Sequence, residues 1–426
     1  MLEDDKITTN TELHMKDSKN KNYSSRIPGF AKLNFKERVE VLLDRGILSQ
    51  NDIHTLKKSG ALPKVLSESL IENSIGTFEL PLGIATNFVI DNEPILIPMA
   101  IEESSVVAAA SYGAKLALNL GGFKTKSPKS IATAQILFEP HDKNTNFASL
   151  FDGNMKDDLM AKARESIPRL LKRGGDVEDI ELRNLGDNLY VFHIHVNTCE
   201  AMGANLVNTI AEHLGSYLPK VFPCQVDCKI LTNLTLKRLA HARCEIPFDA
   251  LKRNDLDGYE TASRIVKVCR FADKDPFRAA THNKGVMNGI DAVVIATGND
   301  WRAVESGCHA YASYTGSYKP LTRWSIESKK LIGEITCPIA VGTVGGVTKL
   351  HPMASTSLRI LGNPSSSRLS AIIASVGLAQ NLSAIRALAC EGIQKGHMAL
   401  HEKNLEMLKT YDHMPDISIV SSKKGN

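Results

Sequence analysis

Between about residue 130 and residue 231 the sequence changes rhythm, and that change constrains the fold more than any other feature of the chain. An apolar stretch at Ile131 to Phe138, a charged helical stretch at 155 to 173, Gly174-Gly175, an alternating strand at Leu189 to Val196, a helical stretch from Gly203 to Leu214, and Val226 to Leu231 follow one another within about a hundred residues. Such a succession reads as an α+β block with a core of its own, inserted into a chain whose other parts are mainly helical. Segments 35 to 46 and 62 to 73 carry apolar residues at helical spacing, and Leu80 to Pro98 reads as a hairpin turning at Asp91-Asn92. Ser104-Ser105 are placed to cap a helix that runs through Ala117 and closes at Gly121-Gly122. Ala371 through Ala389, headed by Ser365 to Ser367, reads as a long buried helix, small-residue-rich on several faces so that neighbours can approach closely.

With 426 residues, the chain has room for two or three domains at roughly 100 to 200 residues each and needs no disulfide or metal staple. Lys plus Arg number 51 and Asp plus Glu 47, a net +4 without the dense basic stripe that nucleic-acid binding uses. The first 25 residues are polar, lack the basic-then-apolar pattern of a signal peptide, and read as a flexible tail. No run approaches the ~18 uncharged apolar residues of a membrane span, so a cytoplasmic protein is expected. The eight cysteines are scattered. Cys224 and Cys228 form one C-x3-C without a second pair at zinc-finger spacing, which reads as free thiols. His193 and His195 alternate on a strand and read as one polar face; no metal is expected.

The densest polar cluster runs from Arg278 through Asp291, followed by an apolar run at Ala292 to Ala296 that reads as a strand, then Gly298-Asn299-Asp300-Trp301-Arg302. A short strand bracketed by two polar loops would let Lys284 meet Asp300, either as a solvated ion pair or, given the surrounding glycines and asparagines, as part of a site. Glu102-Glu103 precede a helix, where the dipole favours the ionised form. The loop Asn197 to Asn205 lies between a strand and a helix whose free N–H groups can hold a phosphate, although the chain has no G-x-G-x-x-G fingerprint. Gly342 to Lys349 reads either as a phosphate cradle or as a tight turn. No G-x-S-x-G elbow is present.

Taken together, the segments Glu72-Asn73-Ser74-Ile75-Gly76, Pro98 to Glu103, Ala201-Met202-Gly203-Ala204-Asn205, Asp275 to Asp291, Gly298 to Trp301, Gly342 to Pro352 and Glu391 to Met398 closely resemble the class II 3-hydroxy-3-methylglutaryl-coenzyme A (HMG-CoA) reductases. They run in that family's order from about residue 26 to 401. The resemblance implies an α+β fold: a large, mainly helical, discontinuous catalytic domain (26–129 and 232–395), an inserted small ferredoxin-like, non-Rossmann cofactor domain (130–231) and a short carboxyl-terminal flap (396–426). It implies reduction of HMG-CoA to mevalonate and coenzyme A by two NAD(P)H, at sites built at the interface of a homodimer or larger oligomer. By motif position, Glu103, Lys284, Asp300 and His397 match the catalytic set. Lys284 would stabilise the carbonyl oxygen, Asp300 would hold that lysine, His397 would protonate the departing thiolate and Glu103 would donate a proton at the aldehyde step. Arg278, Ser105 and Asn288 match residues for the acyl carboxylate and hydroxyl, Gln380, Ala384 and Leu388 the acyl-coenzyme A side, and Met202, Gly203 and Asn205 the nicotinamide loop.

Three departures from the family pattern stand out: Glu200 where an Asp is usual, Ser104 where Pro is common, and Ile167 where NADH-preferring members place an Asp. With no acid at 167 and Arg164, Arg169, Lys172 and Arg173 nearby, NADPH is favoured over NADH. The competing readings are a coenzyme A or nucleotide-binding module without turnover, and a thioester hydrolase or acyltransferase.

Overall fold

The computed structural model describes residues 24–58, 62–143, 147–151, 153–253, 256–390 and 392. His397 and the rest of the expected flap lie outside the described residues, as do residues 1–23 of the expected tail. Ser25, also assigned to that tail, is buried, and its carbonyl accepts the Asn87 N–H at 3.0 Å.

Three short helices, α1 (Phe35–Asp44), α2 (Gln50–Lys57) and α3 (Lys64–Leu70), lead into the hairpin of β1 (Leu82–Ile90) and β2 (Glu93–Ala100). The Asp91-Asn92 turn has φ of 52° and 68°, the left-handed pair that a two-residue hairpin requires and that Asp and Asn tolerate. Helix α2 was not anticipated, because its eight residues offer only Ile53 and Leu56 as apolar anchors; a Ser49/Asp52 capping box starts it. Next come α4 (Val106–Ala117), β3 (Phe123–Lys126), β4 (Ile131–Pro140), α5 (Phe147–Leu150), α6 (Gly153–Glu165), α7 (Pro168–Leu171), β5 (Asp176–Gly186), β6 (Leu189–Asn197), α8 (Ala204–Val221) and β7 (Cys224–Leu231). The chain continues through β8 (Leu239–Pro247), α9 (Phe248–Leu251), α10 (Gly258–Lys274), α11 (Pro276–Ala296), α12 (Trp301–Ser313), β9 (Thr322–Glu327) and β10 (Lys330–Pro338). It closes with α13 (Gly346–Leu350), α14 (Pro352–Ile360) and α15 (Ser366–Cys390).

The strands form two sheets, β2-β1-β3-β8-β10-β9 and β5-β6-β4-β7. In the second sheet every pairing is antiparallel, with α6 and α8 as the crossovers, which is the ferredoxin-like βαββαβ arrangement and not the parallel sheet of a Rossmann unit. Its core, built around Phe138, Phe147, Phe192 and Leu214, is separate from that of the first sheet.

Along β8 every second residue faces inward, and Ala240, Ala242 and Cys244 are small enough for α15 to lie against the sheet. Helix α15 is the spine of the larger unit, buried from Leu369 through Leu382. Its length and mean hydropathy of 1.4 come nearer to a membrane span than the run of uncharged residues suggested, but 78% of that stretch is buried inside the protein. Close approach is built in: a Cβ on Gly113 of α4 would sit 2.1 Å from the Ala379 carbonyl oxygen, and one on Gly289 of α11 would sit 2.8 Å from Gln380 Cβ.

Two local readings need correction. Ala292 to Ala296 is not a strand but the last turns of α11, a 21-residue helix. The β-branched run mimicked a strand because this end of the helix is buried on nearly every side, which erases the 3.6-residue period. Ser105 does precede α4, but in a left-handed conformation (φ 74°) with no side-chain cap bond.

Candidate active site

Because 284 and 288 both lie on α11, they are one helical turn apart and share a face. That face meets the loop that follows β2. Lys284 Nζ lies 2.8 Å from Glu103 Oε2, and Asn288 Nδ2 donates to the same oxygen at 3.5 Å. The pair is open to a ligand, with side-chain exposures of 63% for Lys284 and 38% for Glu103. Ser105 is two residues beyond Glu103 and exposed. An ammonium, a carboxylate and an amide thus converge from elements far apart in sequence.

Asp300 is placed otherwise than expected. Its carboxylate caps α12 by accepting the Ala303 N–H at 3.1 Å and lies 3.7 Å from Arg302. The cation of Lys284 contacts Glu103 and not Asp300. The expected meeting relied on a strand between the two residues, and a helix there sets a different path. Arg278 lies six residues before Lys284, about 120° away around α11. It is half-buried, burial pulls its pKa below the ordinary value, and among the described residues it has no hydrogen-bond or ion-pair partner. A guanidinium in that position suits a carboxylate ligand. Beneath it His282 is buried and neutral, pushed down to about 3 by desolvation and by Arg278, and it is bonded to Thr322 Oγ1 at 2.7 Å and Asn381 at 3.1 Å. On α15, Gln380, Ala384 and Leu388 form a stripe at successive turns. The Gln380 Oε1 is buried without a hydrogen-bond partner.

The loop between β6 and α8 carries the residues expected to hold the nicotinamide. Met202 is half-buried, Gly203 is buried and Asn205 is exposed. Gly203 takes φ 105°, and a Cβ there would lie 2.5 Å from Thr198 Cγ2. No side chain caps α8, so its first amides remain open to an anion. Of the cations expected beside this loop, Arg164 is already committed: its guanidinium grips Asp176 at 2.7 and 3.0 Å. Ile167 is 3% exposed, inside the core, so the side chain at that position faces away from any ribose. Arg169, Lys172 and Arg173 remain exposed, and the Arg173 carbonyl receives the Cys199 thiol at 3.5 Å, which places this rim against the loop.

Contacts that sequence reasoning missed tie the loop down. Arg238, fully buried, donates to the Met202 carbonyl at 3.2 Å and to the Val341 carbonyl. A Cβ on Gly342 would lie 2.5 Å from the Met202 nitrogen, so this glycine serves close packing against the loop, while Gly345 and Gly346 face open space. An isolated arginine in a strand-like stretch gave no signal of this role.

The two strand histidines behave as a polar face. Glu181 of β5 joins His193 and His195 so that their ligating atoms lie within 4.8 Å. Lys237 sits 2.7 Å from Glu181, Gln135 and Arg183 contact His193 Nε2 at 2.8 and 3.4 Å, and His195 Nε2 is buried without a hydrogen-bond partner. All eight cysteines are free; Cys224 is buried and Cys228 exposed, so the pair does not share one environment.

Residues 34–402 match the family model of hydroxymethylglutaryl-coenzyme A reductase. The chain is 45% identical to the 3-hydroxy-3-methylglutaryl-coenzyme A reductase of Archaeoglobus fulgidus, over 90% of this chain and 87% of that one. It is 35% identical to a probable reductase of Borreliella burgdorferi, over 82% and 80%. Among solved structures, a reductase of Streptococcus pneumoniae superposes with a TM-score of 0.83 at 40% identity, covering 89% of this chain and 91% of that one. A class II structure from the same organism, bound to NADPH, gives a TM-score of 0.82 at 39% identity, over 85% and 99%. With the Glu103/Lys284/Asn288 cluster and the non-Rossmann α+β unit in place, the chain belongs to the hydroxymethylglutaryl-coenzyme A reductase family, within its class II branch.

Proposed function

We propose that the reductase carries out its chemistry at the Glu103/Lys284 pair, with 26–129 and 232–395 as the catalytic domain and 130–231 as the nicotinamide domain. The overall reaction takes HMG-CoA to mevalonate and free coenzyme A. Nicotinamide, when bound, supplies a hydride in each of two reductions. The chain's own residues handle the charge that each reduction places on oxygen. Lys284, as an ammonium, donates to the thioester carbonyl oxygen and neutralises it as it becomes an alkoxide. In the aldehyde step Glu103 would pass a proton to the same oxygen from its protonated acid form, the carboxylate that accepts from Lys284 having first taken up that proton. Asn288 and Ser105 orient the substrate hydroxyl, and Arg278 receives its free carboxylate. Asp300 keeps the role of holding Lys284 once substrate is bound, and His397 that of protonating the thiolate. The observation that carries this reading is the 2.8 Å contact between a half-exposed carboxylate and an exposed ammonium 181 residues apart.

The nicotinamide cofactor is assigned to the loop before α8, where no side chain caps the helix amides and exposed Asn205 adds a polar group. Arg169, Lys172 and Arg173 would meet a 2′-phosphate, so NADPH is preferred. In a side-by-side assay kcat/KM is expected to favour NADPH. The double variant Arg169→Ala/Arg173→Ala should lower that value about tenfold, the scale of a lost charge-assisted contact, with NADH changed less than about twofold. A wild-type preference for NADH would overturn the assignment.

We also propose that the working form is a cytoplasmic dimer or larger oligomer. An open apolar cavity of about 730 Å³ is lined by Phe35, Leu56, Leu70, Phe78 and Met353. Beside it Ile75 and Phe78 are almost fully exposed, a surface that a second copy would cover.

A further inference from the structure

Glu200, which stands where the family usually has Asp, does not point toward the open amides of α8. Its Oε2 accepts the Ser366 backbone N–H at 2.6 Å and the Thr343 hydroxyl at 3.1 Å, while its own carbonyl accepts the Thr343 N–H at 2.9 Å. Ser365 heads α15, with its hydroxyl accepting the Arg368 N–H at 3.1 Å, so Ser366 supplies the first amide of that helix. This amide has no partner within the helix, and it lies at the positive end of a 25-residue dipole. A carboxylate there is both hydrogen-bonded and electrostatically favoured.

Further contacts connect the same place to the rest of the site. The Ser366 hydroxyl donates to the Cys199 carbonyl at 2.9 Å, and the Gly342 N–H donates to Asn299 Oδ1 at 2.7 Å, one residue before Asp300. Buried Arg238, pulled down by desolvation to about 10 and therefore still charged at neutral pH, has Glu200 as its opposing charge. Around this carboxylate meet the nicotinamide loop, the Gly342 turn and the head of the helix that carries Gln380, Ala384 and Leu388.

We infer that Glu200 is a positioning residue that latches the nicotinamide loop to the first turn of α15, holding the cofactor loop at a fixed separation from the acyl-coenzyme A stripe on the same helix. The inference rests on the assignment of residues 202–205 to the cofactor. Glu200 touches neither substrate nor cofactor in this role; it fixes the loop that does.

The test is steady-state kinetics on the full chain with NADPH and HMG-CoA varied separately, alongside thermal melting. Glu200→Gln preserves length and removes charge. It is expected to raise the KM for NADPH about tenfold, the equivalent of one charge-assisted hydrogen bond, with the KM for HMG-CoA changed less than about twofold. A second pair of variants isolates the amide. Ser366→Ala and Ser366→Pro both lose the hydroxyl, but only proline loses the N–H, at a helix position where proline is tolerated. Ser366→Pro should have a several-fold higher NADPH KM than Ser366→Ala. Unchanged NADPH KM in Glu200→Gln, equal values in the Ser366 pair, or a parallel rise of both KM values with a lowered melting temperature would overturn the latch. Asn205→Ala separates the two levels: if it raises the NADPH KM while Glu200→Gln does not, the latch alone fails. If neither moves it, the cofactor loop itself is misassigned.

Discussion

Lys284→Ala is expected to lower kcat by about 10³-fold or more while leaving the melting temperature near that of the wild type. The size follows from what the ammonium does: it is the positive group at the site where each reduction places negative charge, and loss of such a donor or of a positioned proton source costs about 10² to 10⁴ in rate. The small stability effect follows from exposure, since 63% of the side chain is open to solvent and its ion-pair partner among the described residues is the half-exposed Glu103. Lys284→Arg would retain charge but replace a compact ammonium with a planar fork that cannot readily give up a proton, so activity should stay low. Stopped-assay kinetics with circular dichroism checks both halves. Activity retained within about tenfold in Lys284→Ala would remove this lysine from the chemistry.

Gly113→Ala should produce a large loss of stability from a single added methyl group. Helices α4 and α15 cross where a Cβ at 113 would lie 2.1 Å from the Ala379 carbonyl oxygen, an atom of a buried helix backbone that cannot swing aside as a side chain could. Overpacking of this kind costs about 1–3 kcal/mol and more where backbone must shift; here the upper end, about 3 kcal/mol, is expected. The consequence reaches function, because α4 follows the Glu103 loop and α15 carries the Gln380 stripe. Separation of the two helices should therefore raise the KM for HMG-CoA as well as lower the denaturation midpoint. An unchanged midpoint would mean that the helices part freely and that the spine is softer than its packing indicates.

The parts of this protein that were legible in the sequence are those where a local pattern has a single physical cause. The Asp91-Asn92 hairpin needs left-handed residues and has them. The burial of α15 follows from small residues on every face, and the separate rhythm of 130–231 does correspond to a sheet with its own core. Errors arose where burial hid the period. Ala292 to Ala296 lacked a polar face because that end of α11 is surrounded, and Lys284 contacts Glu103 where the strand reading pointed to Asp300. Side-chain commitments were likewise invisible: nothing in a linear sequence shows that Asp176 already occupies Arg164, or that Ile167 faces the core. Glu103 and Lys284 were both singled out, yet their direct contact depends on the loop after β2 reaching α11 across 181 residues. Glu200 was noted only as a departure from a motif, since the amide it accepts belongs to a helix that begins 166 residues later.

The most direct test of the central claim is to mix the protein with HMG-CoA and NADPH and follow nicotinamide absorbance together with thiol release. The proposed reaction oxidises two nicotinamides for each thiol set free. That ratio is the result expected here, whereas thiol release without nicotinamide oxidation, or neither signal, would contradict the account.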